Sequence, residues 1–213
     1  MNSFAGIRFL PVRDPIGRRL GQLIPGLALF GVALALSIRG NLGTNPWTVF
    51  HEGASERLGI SIGTMVIVTG LVLLLLFIPL REAMGLGTAL NVAVIGVVID
   101  ATLAVVPELD STVARLASLG VAPVMIGLAS GLYIGAGLGP GPRDGLMTAL
   151  ERRGLSLNVA RTTVELTALL TGWLLGGTVG IGTIYMALTV GFWVKVFLPK
   201  LRIDDDFAGS STV

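Results

Sequence analysis

The sequence has 213 residues, of which 53% are hydrophobic and only 13% charged, and its mean hydropathy is +0.84. Soluble domains carry about twice that share of charge, so a water-facing shell around a core is excluded and a membrane protein is expected. The isoelectric point near 9.5 does not indicate nucleic acid, because the basic residues sit between apolar runs and form no patch. Cysteine is absent and His51 is the single histidine, which removes disulfides, thiolate sites and an imidazole cage for zinc.

Residues 1–20 hold Arg8, Arg13, Arg18 and Arg19 and read as a cytoplasmic tail. Six apolar runs follow, at 23–38, 62–80, 85–106, 119–138, 157–175 and 181–198. A spanning helix needs roughly 17–25 mostly apolar residues; the first run reaches that length by including Gly21 and Gln22. Hydrocarbon offers no partner to a free amide, so each run is expected to be a helix. Six crossings put both termini on one side, and twelve of the 15 Lys/Arg residues then share that side. Only Arg39, Arg57 and Arg115 fall opposite, which predicts cytoplasmic termini. Residues 108–118 are then an external linker, and 200–213, with Asp204-Asp205-Asp206, a disordered cytoplasmic tail.

The chain repeats itself. Leu42-Gly43-Thr44-Asn45-Pro46 matches Leu138-Gly139-Pro140-Gly141-Pro142, and Arg57-Leu58-Gly59-Ile60-Ser61-Ile62 matches Arg153-Gly154-Leu155-Ser156-Leu157 after one deletion. Gly85-Leu86-Gly87-Thr88 then matches Gly180-Ile181-Gly182-Thr183, Gly96 falls on Gly191, and Asp100 on Lys195. Residues 21–107 and 119–199 are thus two copies of one unit: helix, Gly/Pro break, short amphipathic segment, helix, tight turn, helix. Three crossings per copy force the second copy to enter from the opposite face. The fold class expected is an all-α membrane protein of two inverted-topology three-helix repeats, each with a short amphipathic or re-entrant helix after its first span.

That architecture suits a secondary transporter, whose sites form where helices are broken near the midplane. Pro46 and Pro142 fit the first turn of short helices over residues 47–58 and 143–153, with Asn45 as a cap. Free amides at two such ends attract anions, and Arg143 adds a cation with Asp144 as its partner. The candidate substrate-binding residues are therefore Asn45, Pro46, Trp47, Pro142, Arg143 and Asp144. Two placements fit both stretches: re-entrant, or lying on the surface with Trp47 at the headgroups. In the spans, Glu165 and Arg161 stand one turn apart and can pair, and Asp100 is a further intramembrane acid; these three are candidates for coupling. Lys195 can snorkel.

Gly127, Gly131, Gly135 and Gly139 make a smooth ridge expected to pack on the small face of the first helix, at Gly31 and Ala35. No Walker motif exists, and Pro142 breaks a dinucleotide fingerprint, so neither an enzyme nor a cofactor is expected. His51 stands on a presumed outer segment with no nucleophile nearby.

The break and amphipathic stretch from Asn41 to Gly59, together with Gly137-Leu138-Gly139-Pro140-Gly141-Pro142-Arg143-Asp144-Gly145-Leu146, resemble the signature of the YczE/YitT-like family of bacterial integral membrane proteins. The likeness runs from about residue 21 to residue 199. It implies a bacterial plasma (inner) membrane location but no agreed activity. Two function classes fit: a small transporter or permease for a small polar or anionic solute, possible as a homodimer, or a membrane accessory protein that scaffolds a partner complex.

Overall fold

Capping chemistry sets the helix ends. The Asn45 side chain accepts the Thr48 amide at 3.1 Å and Pro46 needs no donor, so α2 (Pro46–Leu58) starts at the break. Gly59 ends it in the left-handed region, at φ 65°. Ser61 caps α3 (Ile62–Leu80) and Ser156 caps α7 (Leu157–Leu174). The turns before α4 (Leu86–Val105) and α8 (Ile181–Leu201) are closed by Thr88 and Thr183, whose hydroxyls accept the amides of Gly85 and Gly180. The remaining helices are α1 (Ile16–Gly40), α5 (Thr112–Gly135) and α6 (Pro142–Glu151). The computed structural model describes residues 3–4, 7–9 and 16–203.

Five helices are long and apolar enough to cross a membrane: α1, α3, α4, α5 and α8. Helix α7 is not among them, because its 18 residues include Asn158, Arg161, Glu165 and four threonines. The α3 bounds coincide with the expected run. Helix α1 starts at Ile16, so residues 16–20 belong to a helix and not to a tail. Arg19 is fully buried there and donates to the Ala136 carbonyl at 2.8 Å. Helix α5 starts inside the expected linker, and α8 runs to Leu201. The acidic stretch Asp204-Asp205-Asp206 lies outside the described residues.

A small sheet departs from the all-α expectation. Strand β1 (Ser3–Phe4) pairs antiparallel with β2 (Ile7–Phe9), and β2 pairs parallel with β3 (Ala83–Met84), which forms the turn between α3 and α4.

The core is the seam of α1 with α5, flanked by α4 on α1 and α8 on α5. Leu23, Leu27, Leu34, Ile99 and Met186 are sealed in it. Gln22 staples the seam, donating to the carbonyls of Leu132 at 2.9 Å and Leu201 at 2.6 Å. The glycine ridge does not face α1. A Cβ on Gly127 would stand 2.3 Å from the Trp193 Cβ, and Gly131 and Gly135 press on Phe197 and Leu201, so the ridge receives α8. Gly31 receives α4 in the same way, with a Cβ there 2.8 Å from the Val98 Cβ. Bulky groups on α4 and α8 need the room that α1 and α5 provide.

The two breaks are tied crosswise. The Gly87 amide donates to the Leu138 carbonyl at 2.8 Å, and the Gly182 amide to the Leu42 carbonyl at 2.7 Å. The short helices sit between the halves: α2 packs mainly on α7, and α6 packs on both α7 and α3.

Candidate functional site

Both short helices bury their Gly/Pro entrance and expose their charged far end. In α2, Thr48, Val49 and His51 are within 1% of full burial, whereas Glu56, Arg57 and Leu58 are exposed. In α6, Pro142 and Gly145 are buried, whereas Glu151, Arg152 and Arg153 are exposed. Glycine permits this seating: a Cβ on Gly172 would lie 2.4 Å from the Phe50 amide, and one on Gly145 would strike the Phe77 ring at 2.2 Å. A wholly surface placement is thus replaced by entrances packed inside protein.

At those entrances the structure joins the two breaks. The Arg143 guanidinium lies 5.1 Å from the centroid of the Trp47 ring, in a cation–π contact. Trp47 is therefore turned onto a cation of the other half. Among the described residues the Arg143 guanidinium has no hydrogen-bond acceptor and no ion-pair partner. Asp144, expected as its partner, acts on it electrostatically but makes no close ion pair with it: the Tyr133 hydroxyl donates to Asp144 Oδ2 at 2.9 Å, and the Gly141 amide donates to its carboxylate.

A cavity of about 20 Å³ opens beside Arg143, lined by His51 from α2, Val66, Thr69, Gly70 and Leu73 from α3, Asn91 and Val92 from α4, and Pro142 from α6. That is room for a water-sized group. Its polar wall is unsatisfied: both His51 ring nitrogens and the Thr69 hydroxyl are buried without a partner, as are the nearby Thr48 hydroxyl and Trp47 Nε1. Buried polar groups are nearly always hydrogen-bonded in folded proteins, so this cluster of orphans beside one cation is the candidate site. Burial, then the Arg143 charge, hold the His51 imidazole well below its usual pKa, so it is neutral near pH 7.

The other candidates divide. Asn45 and Pro46 build the α2 entrance as helix start residues. Arg161 and Glu165 pair at 2.9 Å, with side chains 50% and 27% exposed, on α7, which packs on α6. Glu165 acts electrostatically on Arg143, and Arg161 on Asp144, so the pair borders the cluster. Asp100 stands apart from the cavity: it accepts the Ser61 hydroxyl at 2.5 Å and the Gly63 amide at 2.8 Å, fastening the start of α3 to α4.

Sequence reasoning passed over His51, Thr69, Asn91 and Tyr133. One signal for His51 was present, since it stands four residues from Trp47 and shares its face; the others carry none. Two further acids also escaped notice. Glu82 is buried, paired with Arg152 at 2.6 Å and bonded by the Thr148 hydroxyl at 2.6 Å. Glu52 accepts the Thr178 amide at 3.0 Å, and burial raises its carboxyl to about 7.

Residues 17–199 match the model of a family of unknown function, DUF6198. The chain belongs to this family. It is 35% identical over 179 residues to the uncharacterized membrane protein YczE of Bacillus subtilis, covering 82% of this chain and 83% of that one. An uncharacterized protein of Haemophilus influenzae is 34% identical over 182 residues, 85% of this chain and 84% of its own. The uncharacterized protein YyaS of B. subtilis is 28% identical over 181 residues, 82% and 89%. No solved structure matches. The DUF6198 chain is thus a membrane protein of the YczE-like group.

Proposed function

We propose that this protein is a small secondary transporter, or permease, of the bacterial inner membrane for a small polar or anionic solute. The observation that carries this reading is the half-buried Arg143 guanidinium, without a hydrogen-bond acceptor among the described residues, beside the orphaned polar atoms of His51 and Thr69. A permanently empty cluster of that kind would cost about 1–3 kcal/mol for each orphaned group. A solute that accepts hydrogen bonds and carries negative charge removes that cost. The neutral imidazole offers one donor and one acceptor, and the planar guanidinium offers a fork suited to an oxyanion.

In this reading the chain crosses six times, α7 being the sixth crossing, with both termini cytoplasmic. The polar residues of α7 are tolerable because part of the helix lies against α2 and α6 and not against lipid. The crosswise bonds Gly87–Leu138 and Gly182–Leu42 support two inverted copies, since a pseudo-twofold axis generates such contacts in pairs. Helices α2 and α6 are then re-entrant, and their entrances meet where the solute binds.

Purified protein in detergent tests the site. Small anions such as acetate, nitrate and phosphate should include at least one that raises the Tm of the wild type and not that of Arg143→Gln. If none does so, the site reading fails. The dry α1–α5 seam favours a second reading, a membrane scaffold, which predicts instead a partner protein that co-purifies in fixed ratio and is lost on disruption of an outer face.

A further inference from the structure

Two titratable side chains line the cavity, Arg143 and His51. His51 is 1% exposed, and neither of its ring nitrogens has a partner. Its neighbours hold the ring in place. The Trp47 ring, which also meets the Arg143 guanidinium, stands 6.3 Å from it between centroids, and Phe50 meets it edge-on at 5.6 Å. The repeat aligns Trp47 with Arg143 and His51 with Met147, so one break supplies a permanent cation and the other a base.

An anion brings acceptors only. Arg143, the Thr69 hydroxyl and the Asn91 amide are able to donate to it, but a neutral imidazole keeps one nitrogen that only accepts. Beside an anion that nitrogen would set lone pair against lone pair. One added proton removes the conflict, because imidazolium donates from both nitrogens and its charge attracts the anion. The Arg143 charge opposes a second cation next to it, so the proton is favoured only together with the anion. The count is the same if the proton sits on the solute and is donated to the imidazole. Other charged groups around His51 are already engaged or lie in the exposed ends. Helix α3 has none, Asp100 of α4 is bonded by Ser61 and Gly63, and Asp144 of α6 accepts from Tyr133. Arg161 and Glu165 of α7 pair with each other, and Glu151 and Arg152 stand at the exposed end of α6. On α2 itself Glu52 accepts the Thr178 amide, and Glu56 and Arg57 are exposed.

We infer that His51 is a proton site coupled to the anion at Arg143, so that the solute is taken as a small monoanion together with one proton. This inference rests on the transport reading. On binding, the anion and one proton leave water and the proton adds to an imidazole nitrogen. On release both return to water, and no bond within the solute is broken. The sum of anion and proton is neutral, so the membrane potential does not oppose its uptake.

Isothermal titration calorimetry of the purified protein with sodium nitrate and with sodium acetate tests this at pH 6, 7 and 8. Pairs of buffers with different ionisation enthalpies count the protons taken up per anion bound. Wild type should take up about one proton per anion at pH 7, and its Kd should tighten by about tenfold or more from pH 8 to pH 6. His51→Gln stays neutral, so it should take up no proton and its Kd should vary less than about twofold. Glu52→Gln removes the neighbouring carboxyl, which is not on the cavity wall, and should keep both wild-type effects. Wild-type binding without proton uptake, or uptake that survives in His51→Gln, would overturn the proton site and leave the anion site standing. The wild-type count decides the first of these even if His51→Gln does not fold. Binding of neither anion at any pH would overturn the anion site and the proton site together.

Discussion

Arg143 of α6 rests its guanidinium 5.1 Å above the ring of Trp47 of α2, so the first residue after each break's proline meets the other across the molecule. The contact orients the cation without neutralising it, because an aromatic face supplies attraction but no acceptor. Arg143→Lys keeps the charge and loses the planar fork; Arg143→Gln loses both. A charge-assisted hydrogen bond contributes about 1.5–3 kcal/mol, so Arg143→Gln should weaken anion binding by about ten- to a hundredfold, with Arg143→Lys between it and the wild type. Titration of Trp47 fluorescence with the stabilising anion, in a Trp173→Phe, Trp193→Phe background, reads the series.

His51 has opposite effects on stability and on function. Both of its ring nitrogens are buried and unpartnered. His51→Phe fills a similar volume with no orphaned polar atom, and removing such an atom is worth about 1–3 kcal/mol. The variant should therefore melt above the wild type without ligand, yet gain less from added anion. Thermal unfolding in one detergent, with and without anion, shows both effects.

Glu82 and Arg152 serve the fold and not the solute. Arg152 is half exposed, but it is the ion-pair partner of a carboxylate that is nearly sealed. Arg152→Ala leaves Glu82 buried without a counter-charge, at a cost of about 1–3 kcal/mol. The double variant Arg152→Ala, Glu82→Gln should recover most of the loss. Neither should change anion affinity, which separates this pair from Arg143 in the same assay.

Gly96 and Gly191 occupy matching positions with opposite tolerance. A Cβ at Gly96 would meet backbone at 2.5 Å, whereas one at Gly191 meets nothing within 4 Å. Gly96→Ala should sharply reduce the yield of monodisperse protein, and Gly191→Ala should leave stability within about 0.5 kcal/mol of wild type. Gel filtration and a melting curve decide it.

Glu52 should impose a pH slope on stability. Burial raises its folded-state pKa to about 7, above the ordinary value of 4.5. The folded state thus binds more protons between those values, and stability falls as pH rises from about 4.5 through 7. Glu52→Gln should flatten that part of the Tm–pH curve while keeping the contact with Thr178.

Much of this was legible in the chain. The run that became Ile62–Leu80 stands out because fourteen-odd apolar side chains tolerate no other environment, roughly the length a bilayer needs. Asn45-Pro46 announces a helix start through chemistry confined to four residues, and the repeat showed that Pro142 must do the same. What was not legible depends on which surfaces meet. The ridge from Gly127 to Gly135 has the same periodicity whether α1 or α8 fills it, and only the bulk of Trp193 and Phe197 decides. The burial of Arg19 under Ala136 and the change of partner by Asp144 to Tyr133 are long-range outcomes no local pattern records. The polarity of α7 hinted at its unusual seating, but a charged helix in lipid and one leaning on α2 read alike.

The central claim is that Arg143 binds a solute which the protein carries across the bilayer. The most direct measurement is uptake, into liposomes holding purified protein, of the radiolabelled anion that stabilises it. Wild type should accumulate label faster than empty liposomes and faster than Arg143→Gln at equal protein density. Equal rates for all three, or uptake that Arg143→Gln leaves unchanged, would contradict the account.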